Sequence, residues 1–223
     1  MRQAVALAAL AALALVAAPA VDAPAAAQGT VVRVDSTAAR SPDGTLVAFV
    51  RDTPGDSIDT GSGAAPRTEL WVARPDGSGA RRLVRGRDAP DIERVLADMS
   101  SPAFSPDGRT VYVEGVAWGT SGALHAVDVA TGAERFVCQS NGYEVLRRGA
   151  LAGHLLVTHH LYYRAQRDED VGSYEGVVLV SPAGRVLRFV TDADAPDAEA
   201  RLAPVRAGRM PPARPFPRRA SLR

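Results

Sequence analysis

The chain has 223 residues, enough for one domain of moderate size with a hydrophobic core, and its formal net charge of +1 indicates no polyanionic partner such as a nucleic acid. A single cysteine, Cys138, excludes an intrachain disulfide and any Cys-x-x-Cys metal or redox motif. The basic residues other than histidine are all arginines, a bias that we attribute to a GC-rich genome and not to guanidinium chemistry.

Residues 1–27 have the pattern of a secretory signal peptide. A short positive start precedes an apolar run from Ala4 to Ala18, which is shorter than a bilayer span. Three alanines at 25–27 then supply a small-residue cleavage site. The pattern predicts cleavage after Ala27 and a periplasmic or secreted protein that is not integral to the membrane. An uncleaved N-terminal anchor is the alternative.

One turn sequence occurs twice in the following part of the chain, as Ser41-Pro42-Asp43-Gly44 and as Ser105-Pro106-Asp107-Gly108. The serine can accept a local hydrogen bond, the proline presets φ, the aspartate suits the third turn position, and the glycine can take a positive φ. Strand-forming residues follow both copies. We therefore predict a structural turn at each copy, with the second closing a β-hairpin.

Strand-like segments follow one another in three groups, and each group ends in a hairpin whose turn contains a glycine. Polar loops are predicted at 52–67 and 164–175, and a further strand at 30–34. The strands of the three groups are predicted at 45–51, 69–74 and 81–85; at 103–104, 110–113, 123–129 and 134–137; and at 154–163, 176–180 and 185–190.

The turn glycines test whether the groups are repeats. Gly77, Gly132 and Gly184 occupy the same place in the three groups and are separated by 55 and 52 residues. Loops of unequal length absorb the differences at other positions, as is usual in repeat proteins. We therefore predict an all-β fold, a propeller-like stack of about three four-stranded antiparallel blades.

The chain resembles the WD40-like β-propeller repeats of TolB-type periplasmic proteins. The residues that carry the resemblance are 41–44, 101–108, and 69–72 leading to 76–77. The resemblance implies the fold and the blade register, and it implies partner binding in the periplasm. It supplies no catalytic residue.

The rest of the chain is divided by composition. Residues 28–191 are predicted to form the propeller-like domain, and 192–223 an acidic linker with a disordered tail rich in arginine and proline.

Three blades cannot close a ring and leave two sheet faces exposed. We therefore expect a compact variant, or a partial propeller that self-association or another protein completes.

Few residues indicate chemistry. No Gly-x-Ser-x-Gly nucleophile motif occurs, and the four histidines have no metal-ligand spacing, so we predict neither a metal nor another cofactor. Trp118, with glycines at 119 and 122, is placed in a loop and is the first candidate for a binding contact. Asp168 and Asp170 are the other binding candidates, in a second polar loop.

Three functions remain open. The first is an exported, non-catalytic binding module for a protein or an envelope component. The second is a hydrolase or lyase that acts on a carbohydrate or peptide through carboxylates such as Asp98, Glu114 or Asp128. The third is a truncated remnant of a larger propeller.

Overall fold

Three antiparallel sheets follow one another along the chain in the computed structural model, which describes residues 38–60, 63–164, 171–214 and 220–221. The first sheet has the order β1-β2-β3-β4 and the second the order β5-β6-β7-β8. Their strands are β1 (Ala38–Arg40), β2 (Val47–Asp59), β3 (Ala64–Ala73), β4 (Arg81–Arg85), β5 (Ala97–Phe104), β6 (Thr110–Trp118), β7 (Ser121–Asp128) and β8 (Glu134–Ser140).

The third sheet repeats this order and adds a strand. It contains β9 (Tyr143–Val145), β10 (Leu155–Arg164), β11 (Val171–Val180) and β12 (Val186–Asp192). A two-residue strand, β13 (Ala220–Ser221), pairs with β10 beyond the end of β9. The predicted fold class, a propeller-like stack of about three four-stranded antiparallel blades, is confirmed, and the third blade has a fifth strand of two residues.

The two Ser-Pro-Asp-Gly turns have the same hydrogen bonds. At the first, the Ser41 hydroxyl donates to Asp43 at 2.6 Å and accepts from the backbone N–H of Leu46 at 2.9 Å. At the second, the Ser105 hydroxyl makes the equivalent bonds with Asp107 and Thr110. Serine and aspartate thus satisfy the turn backbone internally, which is why the same four residues end the first strand of two blades.

Apolar side chains between neighbouring sheets form the core. Ala48, Leu70 and Val72 of the first sheet pack on Phe104 and Val111 of the second. Another cluster fills the space between the second and third sheets, and includes Leu124, Val137, Leu155, Val157 and Val178. The three sheets are therefore stacked face to face, as blades are.

A repeated backbone contact fixes the distance between neighbouring blades. A Cβ built on Gly132 would lie 2.5 Å from the carbonyl oxygen of Leu83, in the outer strand of the preceding sheet, and one built on Gly184 would lie 2.4 Å from that of Val137. A Cβ built on Gly77, in the first sheet, would have no neighbouring atom within 4 Å. The turn glycine of the second and third blades therefore lies directly on the blade before it.

A C-terminal helix covers the far face of the third sheet. Helix α1 (Ala198–Arg206) buries Leu202 and Val205 against Leu156 and Leu179. Its last residues, from Ala203, belong to the segment for which the sequence predicts disorder, and the spacing of Leu202 and Val205 places both on one face of a helix. The division into signal peptide, domain and tail otherwise stays a prediction.

The loop predicted at 52–67 is wrong at residues 52–59 and 64–67, and the loop predicted at 164–175 is wrong at residues 164 and 171–175, whereas 165–170 lie outside the described residues. Residues 52–59 continue β2 and residues 64–67 begin β3, and the two paired strand ends are held by Ile58, 1% exposed, and by ion pairs of Asp56 with Arg67 and Arg85. In the third sheet, β11 begins at Val171, within the second predicted loop. The signal peptide and the strand predicted at 30–34 lie outside the described residues. No helix in the described part of the chain is long and apolar enough to cross a membrane.

Candidate functional site

An open cavity of about 460 Å³ lies at the end of the second sheet where β6 turns into β7. Strands from across the sheet contribute to its wall, because the beginning of β5, the end of β6, the beginning of β7 and the end of β8 all meet there. The lining residues are Asp98, Ser100, Glu114, Gly115, Val116, Ala117, Trp118, Thr120, Ser121, Gly122, Ser140 and Asn141.

Trp118 lines this cavity as the last residue of β6. It pairs with Ser121 across a tight hairpin. The sequence-based prediction that Trp118 lies in a loop is therefore wrong. Its ring packs edge to face on Phe136, with 6.1 Å between ring centroids. The half-exposed indole is thus fixed in place at the cavity wall, and its role as a contact residue stays a prediction.

Two of the three carboxylates considered for catalysis share the cavity. Asp98 and Glu114 both line it, because Ser100 pairs with Glu114 where β5 runs beside β6. Asp128 lies at the opposite end of the sheet, where it accepts hydrogen bonds from the backbone of Ala130 and from Thr131. Those bonds, chiefly from Thr131, hold the pKa of Asp128 below its usual value. Asp128 is therefore a turn residue.

The backbone of β5 is irregular beside the cavity. Asp98 and Ser101 have φ angles of 44° and 51°, in the left-handed region that residues other than glycine rarely adopt. The register between β5 and β6 shifts on both sides of Ser100. Such bulges redirect side chains at the rim of a sheet, and here Asp98 and Ser100 both contribute to the cavity wall.

Polar residues connect the cavity to the third sheet. Thr120 and the hydroxyl of Tyr162 are 2.8 Å apart, and the Asn141 amide donates to Glu175 at 3.1 Å. Glu175 also lies 2.7 Å from Nδ1 of His160, and Tyr162 is 45% exposed. Sequence reasoning missed this group, because its members come from separate repeats and no local pattern connects them.

Asp168 and Asp170, the other binding candidates, lie outside the described residues, between β10 and β11. Their role as binding residues stays a prediction.

Cys138 is buried, and burial raises the pKa of its thiol to about 12, with a further contribution from the charge of Glu114. A thiol that stays protonated is a poor nucleophile.

The histidines are dispersed. His125 is fully buried between sheets and lies 2.6 Å from Glu134, which also pairs with Arg87. Burial alone would raise the pKa of Glu134, but the hydrogen bonds from His125 and Arg87 outweigh it and the pKa is lowered. Among the described residues, no group of three or more histidine, cysteine or acidic side chains could hold a metal ion.

We expect the free energy of unfolding to fall between about pH 6.5 and pH 4 because of His159. Burial lowers the pKa of this imidazole from 6.5 to about 4, and neither ring nitrogen has a hydrogen-bond partner within the described structure. The unfolded chain therefore binds the proton first as the pH falls, which favours unfolding. Urea unfolding at several pH values should show a smaller pH dependence in His159→Leu than in the wild type. Equal pH dependence would contradict the prediction.

No known protein family matches the sequence, and no curated protein does. Among solved structures, the chain is similar to TolB from Acinetobacter baumannii, with 15% identity and a TM-score of 0.44 over 72% of this chain and 33% of TolB. It is also similar to the β-propeller domain of the Trilobed protease from Pyrococcus furiosus, with 14% identity and a TM-score of 0.43 over 70% of this chain and 42% of that domain. The chain thus spans less than half the length of either.

Proposed function

We propose that the protein is an exported binding module that contacts a protein or an envelope component through the cavity at the β6–β7 hairpin. The observation that carries the proposal is the position of Trp118, a half-exposed indole that packs on Phe136 at the wall of an open cavity. Rigid aromatic side chains provide a large contact area at low entropic cost, and they are enriched at the centres of binding sites.

The polar groups around the indole suit binding. Hydroxyl and amide groups of Ser100, Thr120 and Asn141 line the cavity, and the exposed ring of Tyr162 is bonded to its rim through Thr120. A few polar groups that fix the orientation of a ligand beside an apolar surface are typical of binding sites. Export follows from the signal-peptide pattern at 1–27 and is part of the proposal.

Site-specific photo-cross-linking tests this function. A photoreactive amino acid is placed at Thr120, on the cavity wall, or at Ala130, an exposed residue at the other end of the same sheet. In cells that produce the protein, we expect a discrete adduct from position 120 and none from position 130. Trp118→Ala should reduce the adduct about tenfold, as the loss of a central aromatic contact does.

The control also defines what would contradict the proposed function. Adducts of the same pattern from positions 120 and 130 would mean that the protein has no preferred surface. An adduct from position 120 that is unaffected by Trp118→Ala would mean that the cavity is not the contact surface.

A further inference from the structure

A second open cavity, of about 480 Å³, lies at the other end of β5 from the first. Strand β5 extends from one cavity to the other, because Asp98 near its start lines the first and Ala103 near its end lines the second. Arginines predominate among the charged residues of the second cavity. These charged residues are Arg147, Arg148, Arg206 and Glu144.

A close contact between two glycines brings these arginines together. Gly149 follows Arg148 in the turn after β9, and Gly208 follows the end of α1. A Cβ built on Gly208 would lie 2.6 Å from both the carbonyl oxygen of Arg148 and Cα of Gly149. A side chain at this position would therefore push the two segments apart. The turn that carries Arg147 and Arg148 lies directly against the end of the helix that carries Arg206.

Three exposed arginines of this region are not neutralised by an acid. In the cavity wall, Glu144 accepts a hydrogen bond from Arg206 at 2.8 Å, so its charge is already paired. Among the described residues, no carboxylate forms an ion pair with Arg147, Arg148 or Arg209. All three side chains are exposed. This part of the surface is therefore basic, although the wall of the first cavity is acidic.

An exposed apolar side chain lies next to these arginines in the chain. Met210 is 54% exposed and, with Tyr162, is one of the large apolar residues that the described surface exposes. The hydroxyl of Tyr162 is bonded to Thr120, whereas Met210 follows Arg209 directly after the glycine contact. Cations that attract lipid phosphates, beside an apolar side chain that can enter the headgroup region, are typical of proteins that bind to the surface of a membrane.

We propose that Arg147, Arg148, Arg209 and Met210 form a surface that docks on a membrane containing anionic phospholipids. We call these four residues the basic surface. A guanidinium group matches the geometry of phosphate oxygens, and each further cation near an anionic membrane adds to the attraction. Docking at this end of β5 leaves the cavity at the β6–β7 hairpin free for a partner. The inference therefore goes beyond the proposed function.

Flotation with lipid vesicles tests the proposal. The purified full chain is mixed with vesicles of phosphatidylcholine alone, or of phosphatidylcholine and phosphatidylglycerol in equal amounts. We expect binding to the anionic vesicles to be at least about tenfold tighter and to weaken as salt is added, because salt screens the attraction. The apolar run at 4–18 is present in both measurements, so the comparison measures the contribution of charge.

Matched variants localise the contact. Arg147→Gln with Arg148→Gln should weaken binding to the anionic vesicles at least about tenfold, because it removes two cations from the basic surface. Arg40→Gln with Arg94→Gln removes the same charge from exposed positions outside the third sheet and should change binding less than about twofold. Met210→Gln keeps the length of the side chain and should weaken binding about threefold, because a polar group enters the membrane less favourably. Circular dichroism of each variant confirms that the sheets are intact.

Equal binding to neutral and anionic vesicles, or equal weakening by the two double variants, would overturn the inference. Tighter binding to dextran sulfate than to anionic vesicles, with no effect of Met210→Gln, would assign the basic surface to a soluble polyanion and overturn it as well. The proposed function is tested separately. Trp118→Ala should leave vesicle binding unchanged, and Arg147→Gln with Arg148→Gln should leave the adduct from position 120 unchanged.

Discussion

Alanine at Gly132 or Gly184 should lower the free energy of unfolding by about 3 kcal/mol, whereas alanine at Gly77 should lower it by about 1 kcal/mol. All three glycines have φ between 72° and 89°, so the cost of placing a Cβ in a left-handed conformation is common to the three variants. The additional cost at Gly132 and Gly184 comes from the backbone carbonyl of the preceding blade, 2.5 and 2.4 Å from the added carbon.

Urea unfolding followed by circular dichroism measures the difference, and Gly77→Ala is the matched control. Gly77 and Gly184 occupy turns of the same length and differ in the contact with a preceding blade, whereas the turn at Gly132 is one residue longer. Equal destabilisation by all three would show that the blades are not in close contact at these turns. The experiment therefore tests the stacking of the sheets and not only the turn conformation.

The sequence predicts the repeats because their turn chemistry is local. Ser41 and Asp43 satisfy their own turn, and so do Ser105 and Asp107, so the pattern is visible without any tertiary contact. The spacing of Gly132 and Gly184 is equally visible, but the contacts that require glycine there, with Leu83 and Val137, exist only once the sheets are stacked. Local rules therefore predict the strands and not how the blades pack.

Glycine also explains the wrong prediction for Trp118. Gly119 and Gly122 suggest a loop, but Gly122 lies in β7, where a Cβ would be 2.9 Å from the carbonyl oxygens of Gly115 and Ser140. This glycine permits close packing within the sheet. The candidate site was predictable only in part: the sequence identifies Trp118, Asp98 and Glu114 separately, and antiparallel pairing of β5 with β6 brings them to one cavity.

The stack has two outer sheet faces, which a closed ring of blades would not have, and each face is covered in a different way. On the first sheet, Arg51 lies over Phe49 and Trp71, and the ion pairs of Glu69 and Asp56 with arginines surround them. On the third sheet, helix α1 covers the face that a further blade would contact. The sequence predicts self-association as one way to complete the propeller. Two copies would have to meet through the outer face of the third sheet, and α1 covers that face.

We therefore expect light scattering with size-exclusion chromatography to give the mass of one chain for the purified protein, and a larger mass for Val205→Asp. Val205 is fully buried on the face of α1 that packs on the third sheet, and a carboxylate there has no partner, so the helix should detach and expose Leu156 and Leu179. Ala203→Asp adds the same charge to an exposed position of the same helix and should leave the mass unchanged. If Val205→Asp stays folded by circular dichroism at the mass of one chain, the helix does not protect the third sheet from association.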